Sequence, residues 1–150
     1  MRSEVRLLGS TKKTLKRLDK LVDTMKEKGS VKVGVPKNSN PYPDGTSVID
    51  VAITHEFGYE PRNIPQRSFI RSTLNRKRKE YRDLFKKLSK QLFNARINKQ
   101  KALGLLGTQV QNDVREKITK IKTPKLKKRK GNPLIDTGHL RQSIVYKVEK

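Results

Sequence analysis

The chain contains no cysteine, which excludes disulfides and every cysteine-based metal site. Tryptophan is also absent, and aromatic residues make up only 5% of the 150 residues. None lies within the densest basic run, which argues against base-stacking platforms of the kind that bind single-stranded nucleic acid. Histidine occurs only as His55 and His139. His55-Glu56 opens like a zinc-protease motif, but Tyr59 stands where the second histidine belongs, and zinc needs three or four protein ligands. Phosphate-cradling glycine-rich loops are missing too, so no catalytic, cofactor or metal site is expected. No apolar run approaches the ~18 residues of a membrane span, and Met1-Arg2-Ser3-Glu4 lacks the apolar stretch of a signal peptide. The expectation is a soluble protein made in the cytoplasm, with no membrane partner.

Acids are scarce as well: 14 Asp and Glu face 37 Lys and Arg, a net charge of +23. The excess is concentrated. Residues 71–130 hold twenty-one Lys/Arg against four acids, whereas residues 29–70 hold four of each. Such a block creates a positive field that attracts nucleic acid or an acidic protein face, beyond the ordinary solvation of a charged helix. The apolar share is 32%, low for a globular chain. One domain over 1–150 with a thin core is the simplest reading, and partner subunits are expected to cover some of its apolar surface.

Periodicity organises the rest. Leu15, Leu18, Leu21, Val22 and Met25 recur at helical spacing over residues 11–28. Val31, Val33 and Val35 alternate as a strand closed by Pro36. Ser47 caps a helix through Val48, Val51 and Ala52, which Gly58 ends. A long helix is predicted from Ser68 to Asn94 and another from Ala102 to Lys120. Gly104 and Gly107 lie three apart on the latter. Their spacing is that of the loop with which KH domains clamp a nucleic-acid backbone, but the two intervening leucines argue for close helix packing. Residues 123–133 are basic and aperiodic, and a flexible loop is expected there. Asp136 or Thr137 caps a single helical turn, and Ile144, Tyr146 and Val148 alternate along a last strand.

Two nearly neutral segments carry the most specific signal. The first contains Thr54-His55-Glu56-Phe57-Gly58 and Ile64-Pro65-Gln66-Arg67-Ser68-Phe69-Ile70. The second is Leu134-Ile135-Asp136-Thr137-Gly138-His139-Leu140-Arg141-Gln142-Ser143-Ile144. Together they resemble the virion-morphogenesis, or minor tail component, families of tailed bacteriophages. In those families a helix ends in an acidic-aromatic-glycine turn, a proline-arginine segment opens a long helix, and an Asp-Thr-Gly-x-Leu-Arg-x-Ser-Ile segment leads into the last strand.

The resemblance implies an α+β fold: a small antiparallel sheet packed against several helices, with one long central helix. It implies a structural, non-enzymatic role at the phage head-tail interface, as a neck or tail-completion component of the virion. The chain would form a homo-oligomeric ring around the DNA passage, by analogy a hexamer. Its neighbours would be head-closure or connector proteins and tail terminator or tail tube proteins, with nonspecific DNA in the lumen. Glu56, Phe57, Gly58, Pro65 and Arg67 would fix the helix-crossover-helix geometry. Asp136, Thr137, Gly138, Leu140, Arg141 and Ser143 would fix the return to the last strand. Arg67 and Arg141 are the best candidates for forked bonds to carboxylates or backbone carbonyls. The basic block lies outside the resemblance; Arg76, Lys77, Arg78, Lys79, Lys125, Lys127, Lys128, Arg129 and Lys130 are candidates to face DNA or an acidic partner.

Two other classes are weighed against this one. A nonspecific nucleic-acid-binding protein fits the charge and predicts steeply salt-dependent binding. Leu134-Ile135-Asp136-Thr137-Gly138 has the order of an aspartic protease loop, in which two Asp from a dimer share a proton. His139 and Leu140 follow it where a small residue belongs, and the helical content of the chain argues against that nearly all-strand fold.

Overall fold

The computed structural model describes residues 2–26, 28–126 and 131–149, with side-chain detail from Thr11 onward except at Met25. Helix α1 spans Arg2–Lys26 and strand β1 Ser30–Gly34. Helix α2 (Val48–Phe57) follows a turn-rich loop and leads through a short 3-10 turn, Glu60–Arg62, into α3 (Arg71–Arg76). Helices α4 (Arg78–Phe93) and α5 (Lys99–Lys120), the single turn α6 (His139–Gln142) and strand β2 (Val145–Glu149) complete the chain. The architecture is α+β, as expected, with a two-stranded antiparallel sheet on α5.

The sheet joins segments more than a hundred residues apart, pairing Ser30 with Glu149, Val33 with Tyr146 and Gly34 with Val145. Lys32 and Glu149 add an ion pair of 2.7 Å across the exposed side. The other side lies on α5 at Gly107, where a Cβ would come within 2.5 Å of the Tyr146 ring and 2.8 Å of Val31 Cγ2. Gly107 therefore serves close packing inside a continuous helix, whereas a Cβ at Gly104 would meet only the Tyr146 hydroxyl at an ordinary 3.7 Å.

Helix α5 is the spine. Val110, Val114 and Ile118 are buried on one face, and they meet Phe69, Leu134, Leu140 and Ile144 in the core together with Val48 and Ala52 of α2. Asn98 starts α5 by accepting from the Lys101 N–H at 2.8 Å, one turn before the predicted start. Asn132 closes its other end by donating to the carbonyls of Ile118 and Thr119 at 3.2 and 2.6 Å.

Two elements differ from the periodicity reading. The predicted helix 68–94 is two helices that meet at Lys77, whose φ of −98° and ψ of 12° leave the helical region. Ser72 and Thr73 donate to the carbonyls of Ser68 and Phe69, four residues back, a bond that bends helices. Helix α1 begins at Arg2, well before residue 11, and its apolar stripe is not in the core: Leu15, Leu18 and Val22 remain 53%, 51% and 48% exposed. Asn132 and the buried Pro133 and Leu134 hold the C-terminal end of the basic segment 123–133, whose residues 127–130 lie outside the described residues.

Candidate functional site

Glu56 lies in the last turn of α2, on the face that Val48 and Ala52 bury. The residue is 5% exposed and its carboxylate accepts five bonds. Oε1 takes the Ser68 hydroxyl at 2.7 Å, the Arg71 N–H at 3.0 Å and Arg71 Nε at 3.2 Å. Oε2 takes the N–H groups of Phe69 and Ile70 at 2.8 and 2.9 Å. Burial pushes this carboxyl up, but the backbone and hydroxyl donors outweigh it and hold Glu56 below the ordinary carboxylate value. Helix α3 has no cap of its own at Ile70. A carboxylate from the preceding helix satisfies its first N–H groups instead, which is also why α3 starts later than Ser68.

The crossover between the two helices is built around this bond set. Gly58 has a φ of +80°, and a Cβ there would lie 3.0 Å from the Gln66 nitrogen, so a side chain is excluded on both counts. Tyr59 and Ile64 close a reciprocal pair of backbone bonds at 2.8 and 3.0 Å, with Asn63 left-handed between them. Pro65 follows, and the Arg67 N–H then returns to the His55 carbonyl at 2.7 Å. Arg67 is 5% exposed; its guanidinium donates to the carbonyls of Pro124 and Lys125 at 2.8 and 3.2 Å, so one side chain anchors the start of the basic segment. Phe57 stays 61% exposed, with the Arg71 guanidinium 4.4 Å above its ring.

The second motif forms a compact turn. Thr137 Oγ1 accepts from the His139 N–H at 3.3 Å, Gly138 has a φ of +80°, and the Ser143 hydroxyl donates to the His139 carbonyl at 3.0 Å. Leu140 is buried beneath it. His139 packs 4.8 Å from the Tyr42 ring and shares a hydrogen bond of 2.8 Å with the Asn40 carbonyl. Arg141 is exposed and donates to the Thr119 hydroxyl at 3.4 Å, not to a carboxylate or carbonyl. The forked role expected of it belongs to Arg115 on α5, which donates to the carbonyls of Ile144 and Gln142, each at 3.1 Å.

The two motifs meet across one open groove of about 580 Å³, to which His55, Pro65 and Arg67 contribute from one side and Leu134, Asp136 and Leu140 from the other. Asp136 lies exposed at its lip. His55 Nδ1 is shut off from solvent with no hydrogen-bond partner among the described residues. Burial, and secondarily the Arg67 charge, hold its pKa below the ordinary imidazole value. Among the described residues no three His, Cys, Asp or Glu converge closely enough to hold a metal ion, and no helix is long and apolar enough to cross a membrane.

The basic block divides. Arg76, Arg78 and Lys79 are exposed. Lys77 is turned inward, 19% exposed, with Nζ 2.8 Å from Asp113 Oδ1. Asp113 also accepts the Tyr81 hydroxyl at 2.9 Å and Gln109 Nε2 at 3.2 Å. Burial pushes the Asp113 carboxyl up, but Lys77, Gln109 and Tyr81 together hold it below its ordinary value. Lys77 is therefore a partly buried cation, held by Asp113 and lying 3.6 Å from the exposed Glu80, and it is less open to a partner than Arg76, Arg78 and Lys79. The sequence reading overlooked Asp113. The signal was an acid on the apolar face of α5, between Val110 and Val114, where a charge needs a partner. Lys125 is exposed; Lys127, Lys128, Arg129 and Lys130 lie outside the described residues. No protein-family model, curated protein or solved structure matches the chain.

Proposed function

We propose that this chain is a non-enzymatic structural protein of a tailed-phage virion, a neck or tail-completion component that assembles into a ring where head joins tail. The observation that carries the reading is the motif pair, Glu56-Phe57-Gly58 with Pro65 and Arg67, and Asp136-Thr137-Gly138 with Leu140, Arg141 and Ser143. Two features support it. The motif residues hold turns, caps and crossovers, a scaffold's work, with Glu56 and Arg67 consumed in backbone bonds. A stripe of half-exposed leucine and valine on α1 leaves apolar area for neighbouring virion proteins to cover. In this reading Arg76, Arg78 and Lys79 face DNA in the lumen or an acidic neighbour, and the ring is a homo-oligomer, by analogy a hexamer, contacting head-closure and tail-tube proteins.

Cryo-electron microscopy of the particle tests the proposal: density for this chain is expected in a ring on the head-tail axis, and a position elsewhere ends the reading. The alternative, a free nucleic-acid-binding protein, draws on the same exposed cations. Tight, saturable binding by a stable monomer would favour that alternative. Weak binding with ring formation beside neck proteins would favour the structural role.

A further inference from the structure

A second groove, toward the N-terminal end of α5, opens between α1, α4 and α5. Its apolar part encloses about 290 Å³. Leu21 from α1, Leu88, Leu92 and Phe93 from α4, and Leu103 and Leu106 from α5 supply the floor. Phe93 and the adjoining Phe85 are 51% and 56% exposed, and Leu18 and Val22 extend apolar surface along α1. The groove continues into a wider mouth whose cations are Arg17, Lys20, Arg96 and Lys99, Lys99 also donating to the Thr24 carbonyl at 3.4 Å. Among the described residues no carboxylate lines either part. The motif groove, by contrast, carries Asp44 and Asp136.

The geometry points to a docking site for an acidic amphipathic helix of a partner protein. An apolar floor between helices fits the apolar face of one more helix, with leucine-sized side chains at three- and four-residue spacing. The cationic rim selects the acids on its other face and raises the rate of encounter. A second copy of this chain suits the floor but not the rim, because the apolar stripe of its own α1 is flanked mainly by lysine and arginine; copies in a ring would meet through other faces. A phosphate backbone suits the rim but leaves the leucines and phenylalanines uncovered. The inference rests on the groove alone, independently of the virion reading.

The test uses the full chain and a labelled synthetic helix of about 18 residues, five turns, with leucines along one face and glutamates on the other. Fluorescence anisotropy should show saturable one-to-one binding that weakens with salt. A peptide with lysine for glutamate, and one with serine for leucine, should each bind at least about 10-fold more weakly. Phe93→Ser should weaken the leucine-glutamate peptide by about 10-fold, the loss of one aromatic anchor, and Arg96→Glu should weaken it while flattening its salt dependence. Both residues are exposed, and circular dichroism verifies that each variant is folded; Arg96→Glu carries the test if Phe93→Ser is not. Equal binding of all three peptides, no binding of the leucine-glutamate peptide, or folded variants that bind as the parent does would each overturn the proposal. So would a concentration-dependent dimer, seen by sedimentation, that Phe93→Ser abolishes, because a second copy would then own the groove.

Discussion

Glu56 is the residue on which the crossover depends. Its carboxylate replaces the cap that α3 lacks, and three of its five donors are backbone N–H groups with nowhere else to go. Glu56→Gln keeps the shape but puts an N–H₂ against donors. A loss of about 3 kcal/mol, read by chemical denaturation, is expected from unsatisfied buried groups on this scale. His55 gives the molecule a pH dependence of known sign. Unfolded, its imidazole takes a proton near its ordinary 6.5; folded, burial and Arg67 push that value down. Below pH 6.5 the unfolded chain therefore binds more protons than the folded one, and stability falls as acid is added through that window. Glu56 adds a second loss below its ordinary 4.5, as its depressed folded value is approached. Thermal melts of the parent should decline from about pH 6.5 downward, whereas His55→Gln should hold level until the carboxylates titrate.

At the scale of elements, local signals fixed most of what they could reach. Ser47 caps α2 through the Asp50 N–H, Thr137 and Gly138 make the turn before α6, and the alternation of Val31 and Val33 runs along β1. The long predicted helix failed at Lys77 because its continuity was judged from its own stripe. Asp113, thirty-six residues on, draws the Lys77 ammonium inward. Gly107 shows the opposite case, a local anomaly with a distant cause: its missing side chain makes room for Tyr146 and Val31. Gly107→Ala should be destabilising despite the better helix propensity of alanine. Forcing a methyl against an aromatic ring and a strand costs about 1–3 kcal/mol, and a lower thermal midpoint is the expected readout. Pairing it with Tyr146→Ala should recover part of that loss, since the steric term is shared by the two residues.

For the whole molecule, the decisive quantity is how the charge is divided between surface and interior. Arg76, Arg78 and Lys79 are available to a polyanion, while Lys77 is committed to Asp113. Affinity for duplex DNA should fall with salt at about 0.9 log units per log unit of salt for each phosphate neutralised. Replacing Arg76, Arg78 and Lys79 by Gln should flatten that slope in a filter-binding titration. Lys77→Met should leave the slope alone and lower the melting temperature instead. A steep slope unchanged by the triple variant would move the contact to other cations. The amino-acid sequence by itself determined most of the helix and strand segments, the Ser47 cap, the glycine turns and the two motif segments. Each of these is decided by residues within a turn or two of one another. Only the tertiary structure decided that Glu56 caps a helix it does not belong to, that Arg67 anchors residues 124 and 125, that Lys77 pairs with Asp113, and that α1 leaves its stripe exposed. These depend on which distant groups arrive within hydrogen-bonding or packing distance. Burial converts such meetings from neutral to obligatory, and no local pattern records them.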